Sequence, residues 1–444
     1  MRLWYSPYEL VPQNSLSAKA NSGSRTGALV QIEENGRVGF ADLHPWTELG
    51  DEPLEIQLAA LYAGGRTVLS QRTRALAALD RNARVRGVSA FEHLEMPQNH
   101  FLVTDFLSDG LSKLVTRTQE GRESHGFRYF KFKLGRDYIR EAKLLNELVA
   151  VFNTRADTKA DNSLGAATNI NSATQAINIG STAGASSAAK IRVRLDFNGS
   201  LEADQFLRFA QLLSANTFDA IDFIEDPIQW DPVRWSNLVR EIQAAREMHN
   251  ELHDTHDMHD THDMHDTHDM HDTHDMHDTH DMHDTRETLN VRDTRETRRN
   301  SPDAPAFSAA PALALDRCDL TTWKWLRSEG AKNPSPATIW VIKPAIQDPV
   351  RALPIAKDLG WRMVLTSYLD HPVGQMGAAL EAAQLNTENR KYLSVCGLAS
   401  HFAYESNEFS EQLKVHNARL IAPEGLGIGF DKSLANQNWQ EWKP

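Results

Sequence analysis

From about residue 100 the chain follows a repeating pattern. Short apolar runs, each five to seven residues long, alternate with longer stretches of helical spacing. The runs are His100–Asp105, Arg128–Leu134, Ile191–Asp196, Ala220–Glu225, Ala312–Asp316, Thr338–Lys343, Arg362–Ser367 and Tyr392–Gly397. The stretches Tyr138–Phe152, Ala203–Leu213, Trp235–Glu247 and Pro349–Leu359 carry amphipathic helical spacing. Strands alternating with helices predict a parallel sheet, and eight of them predict a (β/α) barrel. No glycine-rich phosphate fingerprint follows an early strand, which argues against an open dinucleotide-binding sheet. Before residue 99 the pattern differs. Thr26–Ile32 and Arg37–Leu43 read as strands around an Asn35-Gly36 turn, and Leu54–Leu61 and Arg72–Leu79 read as helices. That predicts an α+β unit over residues 1–98, completed by about 420–444, and a barrel over 99–419.

Two stretches interrupt the barrel pattern. About 153–189 is rich in Ala, Asn, Ser, Thr and Gly, and about 248–310 contains eleven His-Asp-Thr or His-Asp-Met triplets from His253 to Thr285. Neither can bury a core, so both are expected as low-complexity insertions. The triplets also allow a reading as a His/Asp-repeat metal-binding protein with no enzymatic role. They distort the charge balance: without their eleven aspartates the net charge of −13 becomes −2. Nothing then points to nucleic acid. No apolar run approaches the roughly 20 residues of a membrane span. Cys318 and Cys396 are the only cysteines, which excludes a disulfide framework and fits a cytoplasmic protein. The sequence does not set the oligomeric state.

The polar residues change the picture most. In Tyr129-Phe130-Lys131-Phe132-Lys133-Leu134, strand alternation puts both lysines on one face and the apolar residues on the other. Lysines on an edge strand commonly block aggregation, but the following runs favour another reading. Asp196, Glu225 and Asp316 end three successive runs, and Lys343 ends the next. Those positions are the C-terminal mouth of a barrel, where active sites form. Asp196 and Glu225 are 29 residues apart, and Asp316 and Lys343 are 27 apart; each is one βα unit. The longer gaps of 63 and 91 residues, from Lys133 to Asp196 and from Glu225 to Asp316, hold the two insertions. Three carboxylates in one mouth need a cation, and oxygen-only ligands favour a hard ion: Mg²⁺, or Mn²⁺ as a substitute. In an eight-strand ring Lys133 and Lys343 lie across from each other. A small-molecule carboxylate between them would lose its alpha proton to Lys133, because burial and neighbouring cations favour a neutral amine. The resulting enediolate would be held by cationic charge, with Lys131 as a further nearby cation.

This residue set resembles the enolase superfamily, in its muconate-lactonizing-enzyme-like branch. Within that branch it is most similar to the o-succinylbenzoate synthases, through Arg194-Leu195-Asp196-Phe197-Asn198 and through Gly39–Trp46 with Leu49-Gly50-Asp51. The resemblance implies an α/β fold, a modified (β/α)7β TIM-type barrel with an N-terminal α+β capping domain. It implies Mg²⁺ on Asp196, Glu225 and Asp316, with Lys133 and Lys343 catalytic. Lys131, Arg194 and Asn198 would support the site, Arg194 and Asn198 on the metal side, and Ser367 and Gly397 would contact substrate. The implied reaction dehydrates 2-succinyl-6-hydroxy-2,4-cyclohexadiene-1-carboxylate to 2-succinylbenzoate, in menaquinone biosynthesis. The alternative within the superfamily is an N-acylamino acid racemase or dipeptide epimerase, since opposed lysines serve both faces of a carbanion.

Overall fold

A computed structural model describes residues 1–16, 23–161, 190–242, 244, 311–316 and 337–443. Most of both expected insertions, including the His-Asp triplets, lies outside the described residues, as do Arg317 and Cys318. Among the described residues no helix is long and apolar enough to cross a membrane.

The chain begins with an antiparallel meander of β1 (Arg2–Leu10), β2 (Arg25–Glu34) and β3 (Arg37–Leu43). The turn between β2 and β3 is two residues, Asn35 and Gly36, with φ of 54° and 70°. Positive φ at both positions matches the twist of the flanking strands, which is why Asn-Gly suits this hairpin. One face, with Leu3, Val30, Ile32, Ala41 and Leu43, packs on α1 (Leu54–Tyr62) and α2 (Val68–Arg86). Helix α2 is longer than the spacing predicted. A Thr67/Ser70 capping box starts it and Gly87, at φ 70°, stops it. The C-terminal segment joins this sheet. Gln440–Glu441 pairs with β1, Ile428 N–H donates to Asp80 Oδ1 at 2.8 Å, and Arg84 pairs with Asp431 at 2.6 Å.

The parallel sheet runs β4 (Phe101–Val103), β5 (Tyr129–Lys133), β6 (Arg192–Asp196), β7 (Ile221–Glu225), β8 (Ala312–Asp316), β9 (Ala337–Ile342) and β10 (Arg362–Leu365), neighbours in that order. Consecutive order is what βα repeats produce, because each helix carries the chain back to the next position. The expected alternation holds. Phe130, Phe132 and Leu134 pack outward among the helices, whereas Phe223, Ala314, Ile339, Val341 and Val364 form a separate cluster inside the ring.

The eighth run, expected as a strand over Tyr392–Gly397, is irregular. It still bridges both edges: His100 N–H donates to Cys396 O (2.8 Å), and Gly397 N–H donates to Leu365 O (2.8 Å). Its Val395 carbonyl accepts from Arg194 Nη1 at 2.7 Å, so a side chain takes a group that a regular ladder would use. The architecture is therefore the expected (β/α)7β fold with a capping unit, its eighth place filled by loop-like backbone.

Candidate active site

The parallel register fixes the site. Lys133 is opposite Asp196, and Asp196 is opposite Glu225. Asp316 ends β8, and Lys343 follows β9 by one residue. All these side chains emerge at one end of the sheet, the C-terminal end of every strand.

Lysines hold the acids. Lys131 Nζ donates to Glu225 Oε1 and Oε2 at 2.8 and 2.7 Å and lies 2.8 Å from Asp196 Oδ2. Lys133 Nζ lies 2.5 Å from Asp196 Oδ2 and 3.4 Å from Asn198 Oδ1. Lys343 pairs with Asp316. Asn198 N–H donates to Asp196 Oδ1 at 3.1 Å, which places Asn198 beside the acids. Burial alone would raise the Asp196 carboxyl, but the ammonium groups of Lys131 and Lys133 outweigh it and hold it far below the usual carboxylate range. Burial and the nearby Asp196 charge push Glu225 up to about 7, despite Lys131. Burial lowers a lysine pKa in general, yet for Lys131 the two carboxylates win and raise it.

A fourth acid was not anticipated. Asp226 directly follows Glu225 and sits at φ 42°, and its Oδ1 accepts from Asp316 N–H at 3.2 Å. Burial, then the charges of Asp316, Glu225 and Asp196, raise its carboxyl well above the usual range. Its only sequence signal was the doubled Glu-Asp at the strand end.

The donor set fits a hard divalent ion. It is all carboxylate oxygen, the acids repel one another, and cationic groups already lie between them. Among the described residues no three acid, histidine or cysteine side chains are gathered at metal-ligating distances. The ammonium of Lys131 instead occupies the space between Asp196 and Glu225.

Beside the acids is an open cavity. Lys131, Lys133 and Lys343 line one part, and His100, Thr366, Ser367, Gly397 and Ser400 line another. Ser367 and Gly397, inferred only by resemblance, thus border the same space as the lysines. Gly397 has a steric reason: a Cβ there would stand 2.5 Å from His100 Cε1 and 2.8 Å from Thr366 Cγ2.

Arg194 is placed differently from its expected role beside the metal-side acids. It points into the ring one layer deeper and is fully buried. There it donates to Asp222 Oδ2 (2.8 Å) and Val395 O (2.7 Å), bonds His100 Nδ1 (2.9 Å), and its guanidinium lies over Phe223. The reason is the period of two: Arg194 shares the inward face of Asp196 but sits two residues earlier, so its long side chain fills the barrel centre.

Residues 3–83 match the family model described as "O-succinylbenzoate synthase, N-terminal domain". The whole chain is 25% identical over 445 residues to an o-succinylbenzoate synthase of Bdellovibrio bacteriovorus, covering 100% of this chain and 99% of that protein. Its fold matches the muconate lactonizing enzyme from Mucobacterium smegmatis complexed with muconolactone, with TM-score 0.61, 14% identity, and coverage of 100% of this chain and 99% of that one. A dipeptide epimerase from Enterococcus faecalis aligns with TM-score 0.58 at 12% identity, over 96% of this chain and 98% of that chain. The resemblance read from the K-x-K strand and the three strand-end acids is thus borne out: the chain shares the fold of muconate lactonizing enzymes, its residues 3–83 match the o-succinylbenzoate synthase N-terminal domain model, and it is similar to an o-succinylbenzoate synthase from end to end.

Proposed function

We propose that the protein is a divalent-metal-dependent lyase that dehydrates 2-succinyl-6-hydroxy-2,4-cyclohexadiene-1-carboxylate to 2-succinylbenzoate, in the cytoplasm and within menaquinone biosynthesis. One observation carries the reading: Lys133 and Lys343, four places apart in an eight-place ring, border one cavity beside Asp196, Glu225 and Asp316. End-to-end similarity to an o-succinylbenzoate synthase supports the choice of reaction.

Lys133 takes the proton alpha to the ring carboxylate. The electron pair moves into that carboxylate, giving an enediolate, and Lys343 and Lys131 offset the new negative charge. The enediolate then collapses and breaks the C–O bond at the ring hydroxyl. That hydroxyl leaves as water with the proton from Lys133, and the ring becomes aromatic. A Mg²⁺ ion bound by Asp196, Glu225 and Asp316 would neutralise the acids, release the lysines from them and draw charge toward the substrate carboxylate. Asn198, through Asp196 and Lys133, sets the position of the base.

The test is loss of diene absorbance on ring aromatisation by the purified protein. Lys133→Ala is expected to lower kcat by at least about a thousandfold, the upper range for general acid–base groups, with an unchanged far-UV spectrum. Near-wild-type turnover by that variant would refute the base assignment. The opposed lysines also suit racemisation, so N-succinyl amino acids belong in the same assay; racemisation without aromatisation would replace the dehydratase reading.

A further inference from the structure

The cavity has two unlike walls. The wall from β5 to β9 is charged, with Lys131, Lys133 and Lys343, and the acids these lysines hold lie behind them. The wall from β10 through the irregular eighth segment to β4 is uncharged: Thr366, Ser367, Gly397, Ala399, Ser400, His100. A substrate whose reacting carboxylate lies on the charged wall presents its other end to the neutral one.

The donors on the neutral wall can be counted. Ser367 Oγ donates to Ser400 Oγ at 2.5 Å, and Ser400 Oγ donates onward to Gln375 Oε1 at 3.3 Å, so both hydroxyl protons are committed inside the protein. Thr366 Oγ1, without a partner among the described residues, is closed off from solvent. His100 remains. Its Nδ1 faces Arg194 Nη1 at 2.9 Å. A guanidinium only donates, so Nδ1 must accept, and a neutral imidazole then carries its proton on Nε2. A doubly protonated ring would set an N–H against the guanidinium; burial first and the Arg194 charge second push the ring's pKa well below its usual value. Among the described residues Nε2 has no hydrogen-bond partner. The Cε1–Nε2 edge lies against Gly397, where an added Cβ would come within 2.6 Å of Nε2, and the residue lines the cavity. Gly397 therefore leaves this edge uncovered.

We infer that His100, locked by Arg194 as the Nε2–H tautomer, donates a hydrogen bond to the keto oxygen of the substrate's acyl side chain. This rests on the dehydratase reading for the identity of the ligand. A neutral donor on an uncharged wall matches a carbonyl, whereas the cationic wall already matches carboxylates.

The experiment compares two competitive inhibitors on wild type, His100→Gln and His100→Phe. One is 2-succinylbenzoate. The other is 2-(3-carboxypropyl)benzoate, in which a methylene replaces the keto group. Wild type should bind the ketone about tenfold more tightly, the scale of one neutral hydrogen bond with its acceptor. His100→Phe should erase that preference, and His100→Gln, which can still accept from Arg194 and donate outward, should keep most of it. Nitrogen-15 NMR, assigned by difference against His100→Gln, should show the His100 proton on Nε2. Thermal melting separates loss of fold from loss of the donor, since unfolding would weaken both inhibitors equally. Equal affinities in wild type, an undiminished preference in His100→Phe, or a proton on Nδ1 would overturn the assignment. Aromatisation activity without the preference would sink the His100 role alone. The preference without aromatisation would sink the dehydratase reading alone, and binding of neither inhibitor would sink both.

Discussion

Replacing Lys131 with methionine tests whether a cation is required between the two central acids. In the structure its ammonium reaches both Glu225 oxygens at 2.7–2.8 Å and Asp196 at 2.8 Å, and all three residues are buried. Asp196 would keep Lys133, 2.5 Å away. Glu225 would lose its ion-pair partner. Removing one member of a buried ionic cluster costs about 3–5 kcal/mol, because the remaining charge is stranded. Protonation limits that cost. Glu225 already titrates near 7, from burial first and the Asp196 charge second, against an ordinary value of 4.5. An acid raised in the fold stabilises it at low pH and loses that contribution as pH rises through the folded value. Without Lys131 the carboxyl moves higher still, so the penalty should grow with pH. Urea unfolding in a chelator should show a deficit of about 3–5 kcal/mol at pH 8, smaller by half or more at pH 5. Saturating Mg²⁺ should stabilise the variant more than wild type, since the ion enters a site no longer shared with an ammonium; ligand at a hundred times Kd adds about 2.7 kcal/mol. No deficit in chelator, or an equal deficit at both pH values, would refute the reasoning.

Two further outcomes follow from contacts between the capping unit and the barrel. Arg72 of α2 bonds Glu381 at 2.5 and 2.6 Å and Pro344 O at 2.8 Å, the residue after Lys343. Arg72→Met should cost about 3–5 kcal/mol in urea unfolding and also lower turnover, while Arg72→Met with Glu381→Met should recover most of the stability. Asp42 and Asp370 are buried together beside Gly374, whose added Cβ would stand 2.5 and 2.7 Å from their oxygens. Burial pushes Asp370 up to about 7 and, with the Asp370 charge, raises Asp42 well above its usual range. Raised acids mean stability falls as pH climbs from about 4 to about 7, so Asp370→Asn should flatten that fall in unfolding free energy measured across the window.

The parts of this protein that could be read from sequence are those where one physical rule dominates. Alternation assigned Lys131 and Lys133 to the inward face because Phe130 and Phe132 had to pack outward. The βα repeat length assigned Asp196, Glu225, Asp316 and Lys343 to one mouth even across two long insertions. Where rules compete, the signal was lost. Strand β1 buries Leu3, Ser6 and Leu10 and carries Pro7, so its pattern is not period two; pairing with β2 and Gln440–Glu441 makes it a strand. The helix Pro372–Asn389 is buried on nearly every side and so lacks an amphipathic stripe. The eighth run keeps only isolated bridges to both edges, and its Val395 O is taken by Arg194. His100 read as the start of a strand because its role depends on Arg194 and Gly397, 94 and 297 residues away.

Arg194 shows how the deeper layer supports the mouth. A motif assigns it to the metal side, but its bonds run to Asp222 on β7, to His100 beside β4 and to Ser394 and Val395 in the eighth segment. A fully buried guanidinium is costly unless its charge is paired and its donors are used. Asp222 supplies the charge partner, and the weak eighth place supplies a carbonyl that no strand ladder claims. The irregularity there and the buried arginine are therefore two parts of one arrangement. Regularising the eighth strand would strip Arg194 of an acceptor, and removing Arg194 would free both Val395 O and the His100 ring. The acids and lysines at the mouth then rest on a layer that does no chemistry but fixes the tautomer and position of a neutral donor facing them.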